Sequence, residues 1–152
     1  MTFSIIAGST GLIGGNVIEV LSKQKQSAIA LTRRSIPNLP PEITEMIIDF
    51  DAFKKNGSLP PCDNVFICLG TTIKTAGSKE NFKKVDLNYC LSIAKKAKKS
   101  GAKTLSLISS VGANSSSKNF YLKTKGELEE AVQELGFSTV NIFRPSFLVG
   151  ER

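Results

Sequence analysis

Tyr121 and Lys125 stand four residues apart and follow Ser109-Ser110, while Gly8, Gly11 and Gly14 punctuate the first apolar run of the chain. A hydroxyl, a phenol and an ammonium in that order suit the reduction of a carbonyl. As hydride reaches the carbonyl carbon the oxygen needs a proton, and a phenol, with an ordinary pKa of about 10, donates it when a neighbouring ammonium stabilises its anion. A helix starting near Lys118 puts Tyr121 and Lys125 on one face. Ser110, at the end of the strand before that helix, is placed to donate a hydrogen bond to the same oxygen. The glycines serve a different chemistry. Gly8-x-x-Gly11-x-x-Gly14 lies where a strand gives way to a helix, as a chain does when it cradles a pyrophosphate. Gly8 permits the tight turn, Gly11 lets the backbone approach the phosphates, and Gly14 lets helix and strand pack closely. The helix that begins at the last glycines turns its N-terminus to the anion, with Leu12 and Ile13 beside the cofactor, and Ser9 or Thr10 adds a hydroxyl donor.

The end of the second strand indicates which nucleotide. An acid there commonly takes the ribose hydroxyls of NAD, whereas basic residues accommodate a 2'-phosphate. This chain offers Thr32-Arg33-Arg34 and no acid. A guanidinium meets phosphate oxygens with paired hydrogen bonds, so NADP (NADPH) is expected over NAD, the alternative being that Arg33 and Arg34 are solvent-facing loop residues. Asp49 and Asp51 either touch the adenine edge or serve as loop acids and helix caps.

These groups need a scaffold that gathers strand ends. Phe3 to Ala7 reads as a buried strand, and Ile13, Val17, Val20 and Leu21 recur at helical spacing after it. Ala28 to Thr32 and Met46 to Phe50 follow as strands, with Pro37, Pro40 and Pro41 breaking regular structure between them. Lys54 to Asp63 reads as a surface connection and Val65 to Leu69 as a strand buried on both faces. A long helix from about Lys79 to Lys99 comes next. Lys103 to Ser109, a helix with the stripe Leu128, Ala131, Val132 and Leu135, and Thr139 to Phe143 complete the order. Alternating strands and helices predict an α/β fold, a doubly wound parallel sheet with helices on both faces, in a single domain over 1–152. In such sheets ligands collect at the carboxyl ends of strands, so Gly8 to Gly14, Arg33, Gly70-Thr71-Thr72 and Ser109-Ser110 should converge on one crevice.

Composition narrows the classes. The 152 residues contain no histidine and only Cys62, Cys68 and Cys90, a set without metal-ligand spacing, so neither a zinc site nor a disulfide framework is expected. Cys68 and Cys90 fall in apolar patterns and read as core. No apolar run is long enough to span a bilayer, and the N-terminus runs straight into a strand, which predicts a soluble protein of the cytoplasm with no membrane partner. The net charge of +7 is densest at Lys95, Lys96, Lys98 and Lys99, in the last turns of a helix that Gly101 ends. Cations there complement the helix dipole, and no aromatic residues interleave with them, so no nucleic-acid partner is expected.

With these motifs in hand, the chain resembles a short-chain dehydrogenase/reductase of the atypical or extended kind. The glycine loop, Ile108-Ser109-Ser110-Val111-Gly112, Tyr121-x-x-x-Lys125 and Arg144-Pro145-Ser146-Phe147-Leu148-Val149-Gly150 occur in the family's order. Cys68-Leu69-Gly70-Thr71-Thr72, Val85-Asp86 and Lys125-Gly126-Glu127 are similar to the Tat-interacting-protein-like branch, whose members have NADP(H)-binding Rossmann domains of three αβα layers. The resemblance implies Tyr121 as the acid/base, Lys125 as the residue that assists it and holds the nicotinamide ribose, and Ser110 as the oxygen-binding hydroxyl, with Ser109 as fallback. It places Gly70 and Thr71 beside the dinucleotide and Pro145 beside the nicotinamide, and it allows a homodimer. Two departures stand out. Asp86 occupies the position nearest to an asparagine that carries a relay water in many relatives, with Asn88 two residues later. Relatives also continue past the Arg-Pro motif into helices that enclose the substrate, a part expected to be absent after residue 152. The expected function is hydride transfer between NADP(H) and a small carbonyl or alcohol; the alternative is a non-catalytic NADP(H)-binding module for redox sensing or protein contact.

Overall fold

The computed structural model describes residues 2–146; Phe147-Leu148-Val149-Gly150 of the closing motif, with Glu151 and Arg152, lie outside the described residues. Apolar residues concentrate in short runs that become strands β1 Phe3–Ala7, β2 Ser27–Thr32, β3 Ile43–Ile47, β4 Asn64–Ile67, β5 Thr104–Ile108 and β6 Thr139–Phe143. All pair in parallel, in the order β3-β2-β1-β4-β5-β6. Central strands of a parallel sheet are covered on both faces, which is why β1 reads as a nearly unbroken apolar run. Ile5, Ile6, Val65 and Ile67 have no exposed surface, and each such side chain contributes about 1.5–3 kcal/mol by leaving water.

The helices are α1 Leu12–Lys23, α2 Phe50–Asn56, α3 Ile73–Ala76, α4 Lys79–Lys83, α5 Cys90–Lys99 and α6 Phe120–Gln133. The Ile5 face of the sheet packs under α2, α5 and α6, through Phe53, Ile93, Ala97, Leu128 and Val132. The Ile6 face packs under α1, through Ile18 and Leu21. Register carries that second face across to Phe66, Ser106 and Asn141, where Asn141 Nδ2 donates to Ser106 Oγ. The chain winds outward from β1 to β3 and then crosses back to β4. The crevice of such a sheet opens at that reversal, beyond the carboxyl ends of β1 and β4.

Several local expectations shift, each for a visible reason. The third strand is Ile43–Ile47 rather than Met46 to Phe50, because the Asp49 carboxylate accepts the Ala52 amide hydrogen at 2.9 Å and starts α2 at Phe50. The expected connection from Lys54 therefore begins inside a helix. The buried stripe of α1 is Gly14, Ile18 and Leu21, with Val20 left 51% exposed, because the helix turns its glycine edge onto the β1 turn. Residues 79–99 form one helical rod as expected, but α4 and α5 are joined by a π-helical turn over Lys84–Tyr89. The lysines at its far end pack locally: Lys96 Nζ donates to the Gly57 carbonyl at 2.7 Å, and Lys98 lies over the Phe137 ring. No helix among the described residues is long and apolar enough to cross a membrane.

Candidate functional site

The turn after β1 shows what each glycine does. Gly8 has φ +82°, and a Cβ there would lie 2.4 Å from the Cys68 backbone. A Cβ on Gly14 would lie 2.0 Å from the Gly8 carbonyl oxygen, so strand, turn and helix touch through bare backbone. Gly11 is different. Its φ is −81°, a Cβ would meet nothing nearer than 3.5 Å, and the residue is exposed. The fold therefore explains Gly8 and Gly14 but makes no demand for glycine at 11. Gly11 is also the N-cap of α1, and no side chain caps that helix and no acid sits in its first turn. Its N-terminal amides and dipole are left to whatever enters the crevice. Ser9 does not join them. Its buried hydroxyl points inward to the Ile6 and Leu31 carbonyls, each at 3.1 Å, which corrects its expected place among phosphate donors. Thr10 is exposed at the tip of the turn.

Two lobes of one cleft meet at the turn after β4, sharing Leu69, Gly70, Thr71 and Thr75. The larger, about 770 Å³, reaches Arg33, Asp49, Asp51 and Tyr89. The smaller, about 340 Å³, is lined by Gly11, Leu12, Ile13, Thr72, Ser109, Tyr121 and Lys125. Both lie within the range of ligand sites, and together they run along the strand ends as a dinucleotide does. Arg34 is exposed and does not line the cleft. Asp49 does line it while capping α2. Asp51 is held by Lys84 at 3.0 Å and by the Tyr89 hydroxyl at 2.8 Å on the rim.

The chemical end of the smaller lobe is built by α6. Asn119 caps this helix by accepting the Leu122 amide hydrogen at 3.0 Å, starting it at Phe120. Tyr121 and Lys125 then face the cleft one turn apart, and the Tyr121 ring stacks on Phe82 of α4 with centroids 5.2 Å apart. Lys125 is buried and meets Asp86 Oδ2 at 3.2 Å, while Asp86 Oδ1 accepts the Thr71 amide hydrogen at 2.8 Å. Burial pushes the Asp86 carboxyl above its usual range, against the pull of Lys125 and the Thr71 amide. The serines are less available than expected. Ser110 Oγ donates to the Val111 carbonyl at 3.3 Å and does not line the cleft, whereas Ser109 lines it but gives its proton to Glu129 Oε2 at 2.6 Å. Glu129 also receives Arg144, so one buried acid ties the ends of β5 and β6 together. Pro145 follows, its carbonyl accepting the Val111 amide hydrogen at 3.2 Å. Burial alone pushes the Cys68 thiol up to about 12, and Cys90 stands equally high, as core thiols do. No group of three or more Cys, Asp and Glu side chains suited to a metal occurs among the described residues.

Sequence reasoning misses Glu129, and it takes Asp86 only as a departure at the relay position, not as the partner of Lys125. The available signal was phase: Asp86 lies four residues from Phe82 and from Cys90, and Glu129 sits between Leu128 and Val132, so each acid occupies an apolar position on its helix.

Comparison with known proteins agrees with this architecture. Residues 4–136 match the NAD dependent epimerase/dehydratase family. Protein FMP52, mitochondrial, of Candida albicans is 40% identical over 157 residues, spanning 98% of this chain and 68% of that protein. Among solved structures, human epimerase family protein SDR39U1 with NADPH superposes with a TM-score of 0.70 at 18% identity, over 93% of this chain. MoeE5 in complex with UDP-glucose and NAD gives 0.76 at 15% identity, also over 93%. The chain spans about half the length of those two structures, 52% and 53%. The expectation of a cytoplasmic protein is overturned here, since the Candida relative and others of its name at 39% identity are named as mitochondrial. The Tat-interacting-protein-like branch does not appear among these matches. On the family match and the relatives' identity, the chain belongs to the NAD dependent epimerase/dehydratase family.

Proposed function

We propose that the cleft binds NADP(H) and that Tyr121 and Lys125 support hydride transfer to or from a small carbonyl or alcohol, within the Tat-interacting-protein-like branch and, as the relatives' names suggest, in the mitochondrion. The observation that carries the reading is that an uncapped helix N-terminus with an unconstrained Gly11 and the Tyr121/Lys125 pair line one lobe of a single cleft. The residues fit the group. The backbone of Gly11, Leu12 and Ile13 would receive the pyrophosphate, Gly70 and Thr71 would border its path, and Arg33, in the larger lobe, would meet a 2'-phosphate. The bound nucleotide supplies or accepts the hydride. Tyr121 would donate its hydroxyl proton to the carbonyl oxygen or take it back from the alcohol, and Lys125 would hold the ribose. Ser109, which lines the lobe where Ser110 does not, would serve that oxygen once its hydroxyl turned from Glu129. Titrating NADPH and NADH against thermal stability tests the cofactor: NADPH should raise the midpoint more at equal concentration, and equal protection would remove the role given to Arg33.

One observation favours a second reading, a non-catalytic NADP(H)-binding module. The hydroxyls of both candidate serines are spent inside the protein, on Glu129 and on Val111. Screening aldehydes and ketones with NADPH separates the two: tight binding without turnover selects the module.

A further inference from the structure

Asp86 and Lys125 form the only ion pair among the described residues with both side chains buried, 1% and 6% exposed. Desolvating two charges consumes most of what their attraction returns, so such a pair is weak evidence for a purely stabilising role. Its placement is also costly in backbone terms. Asp86 sits in the π-helical turn Lys84–Tyr89 that interrupts an otherwise α-helical rod, and π-turns of this kind recur at functional sites. Both carboxylate oxygens are committed, Oδ2 to Lys125 Nζ and Oδ1 to the Thr71 amide, and the carboxylate lies against Gly70, whose Cβ would come within 3.3 Å of it. The acid thus joins three things: a lysine on α6, the turn after β4 common to both lobes, and the π-turn itself.

We propose that Asp86 is a positioning residue that fixes the Lys125 ammonium and the Thr71 turn as one unit, so that the cleft meets its nucleotide with the lysine already placed. The inference rests on the NADP(H) reading above. Its test is a double-mutant cycle with Asp86→Asn, which keeps an acceptor for Thr71 and removes the charge facing Lys125, and Lys125→Met. NADPH affinity by fluorescence titration and thermal midpoint are measured for the wild type, both single variants and the double variant. Asp86→Asn is expected to weaken NADPH binding at least tenfold, on the order of one lost charge-assisted hydrogen bond. In the Lys125→Met background the same substitution should change affinity by less than about twofold, since the group it acts through is gone. Independent, multiplying losses would overturn the proposal, because a merely structural aspartate weakens both backgrounds alike. The midpoints judge the tie without any nucleotide. Each single variant strands a buried charge, so the double variant should be more stable than either, and additive losses would overturn the tie. If the wild type bound neither NADPH nor NADH, the cofactor reading would fall while the midpoints still decided whether Asp86 holds Lys125.

Discussion

Replacing Gly11 by alanine separates a ligand's requirement from the fold's. With φ at −81° and the nearest atom 3.5 Å from where the alanine Cβ would stand, the new side chain fits without strain. Alanine is a poorer N-cap than glycine, by about 0.5–1 kcal/mol, but it also restricts the unfolded chain, worth about 0.4–1 kcal/mol in the other direction. The two nearly cancel, so the thermal midpoint should move by no more than about 2 °C. Gly8→Ala is the control. It forces a side chain into the left-handed region, costing about 1–2 kcal/mol, and onto the Cys68 backbone, costing about 1–3 kcal/mol more. The sum lowers the midpoint by about 4–20 °C at 2–4 °C per kcal/mol. Affinity should rank the other way. In Gly11→Ala the new methyl stands where phosphate oxygens must approach the backbone, and NADPH binding measured by calorimetry should weaken about tenfold or more, the equivalent of about 1.4 kcal/mol. Gly11→Ala that bound NADPH like the wild type would refute the argument that the fold leaves this glycine for a ligand.

Four further outcomes follow from the same geometry. Tyr121→Phe keeps the ring stacked on Phe82 and should bind NADPH within about twofold of the wild type while turnover falls by about 10²–10⁴, the worth of a positioned proton donor; unchanged turnover would remove Tyr121 from the chemistry. Arg33→Ala should weaken NADPH about tenfold and leave NADH unaltered, and equal effects on both would contradict a 2'-phosphate contact. Glu129→Gln frees Ser109 and Arg144 and should cost about 1–2 kcal/mol in chemical denaturation, less than a fully buried pair because Arg144 is half-exposed. The Asp86 carboxyl is held above its usual 3.8 by burial, so the folded protein binds its proton more tightly than the unfolded chain does. Facing Lys125, the Thr71 amide and Cys90, its contribution to stability is full below pH 3.8 and declines as pH rises through the folded value; the wild type minus Asp86→Asn difference should show that decline, and a difference flat with pH would contradict it.

What the sequence discloses and what it conceals divide along physical lines. Strands such as Phe3–Ala7 and Thr139–Phe143 are legible to the residue because side-chain period and burial coincide there. The doubly wound sheet and the cleft at its reversal follow from the alternation of elements, and the glycine loop and α6 contribute to the same cleft. Boundaries move where a side chain intervenes, as Asp49 does by opening α2. The concealed part is the partnership of polar groups. That Ser9 faces inward, that Ser109 answers to Glu129, and that Lys125 meets Asp86 across 39 residues depend on three-dimensional register, which local patterns do not encode. The π-turn that places Asp86 leaves no signal in the apolar periodicity either, which runs through residues 79–99 as one helix.

The most direct measurement is a crystal structure of the protein grown with NADPH. The account predicts a pyrophosphate bonded to the Leu12 and Ile13 amides, the 2'-phosphate beside Arg33, and the nicotinamide ribose within hydrogen-bond distance of Lys125. A cleft without the nucleotide at saturating concentration, or a nucleotide lying away from the end of α1, would contradict it.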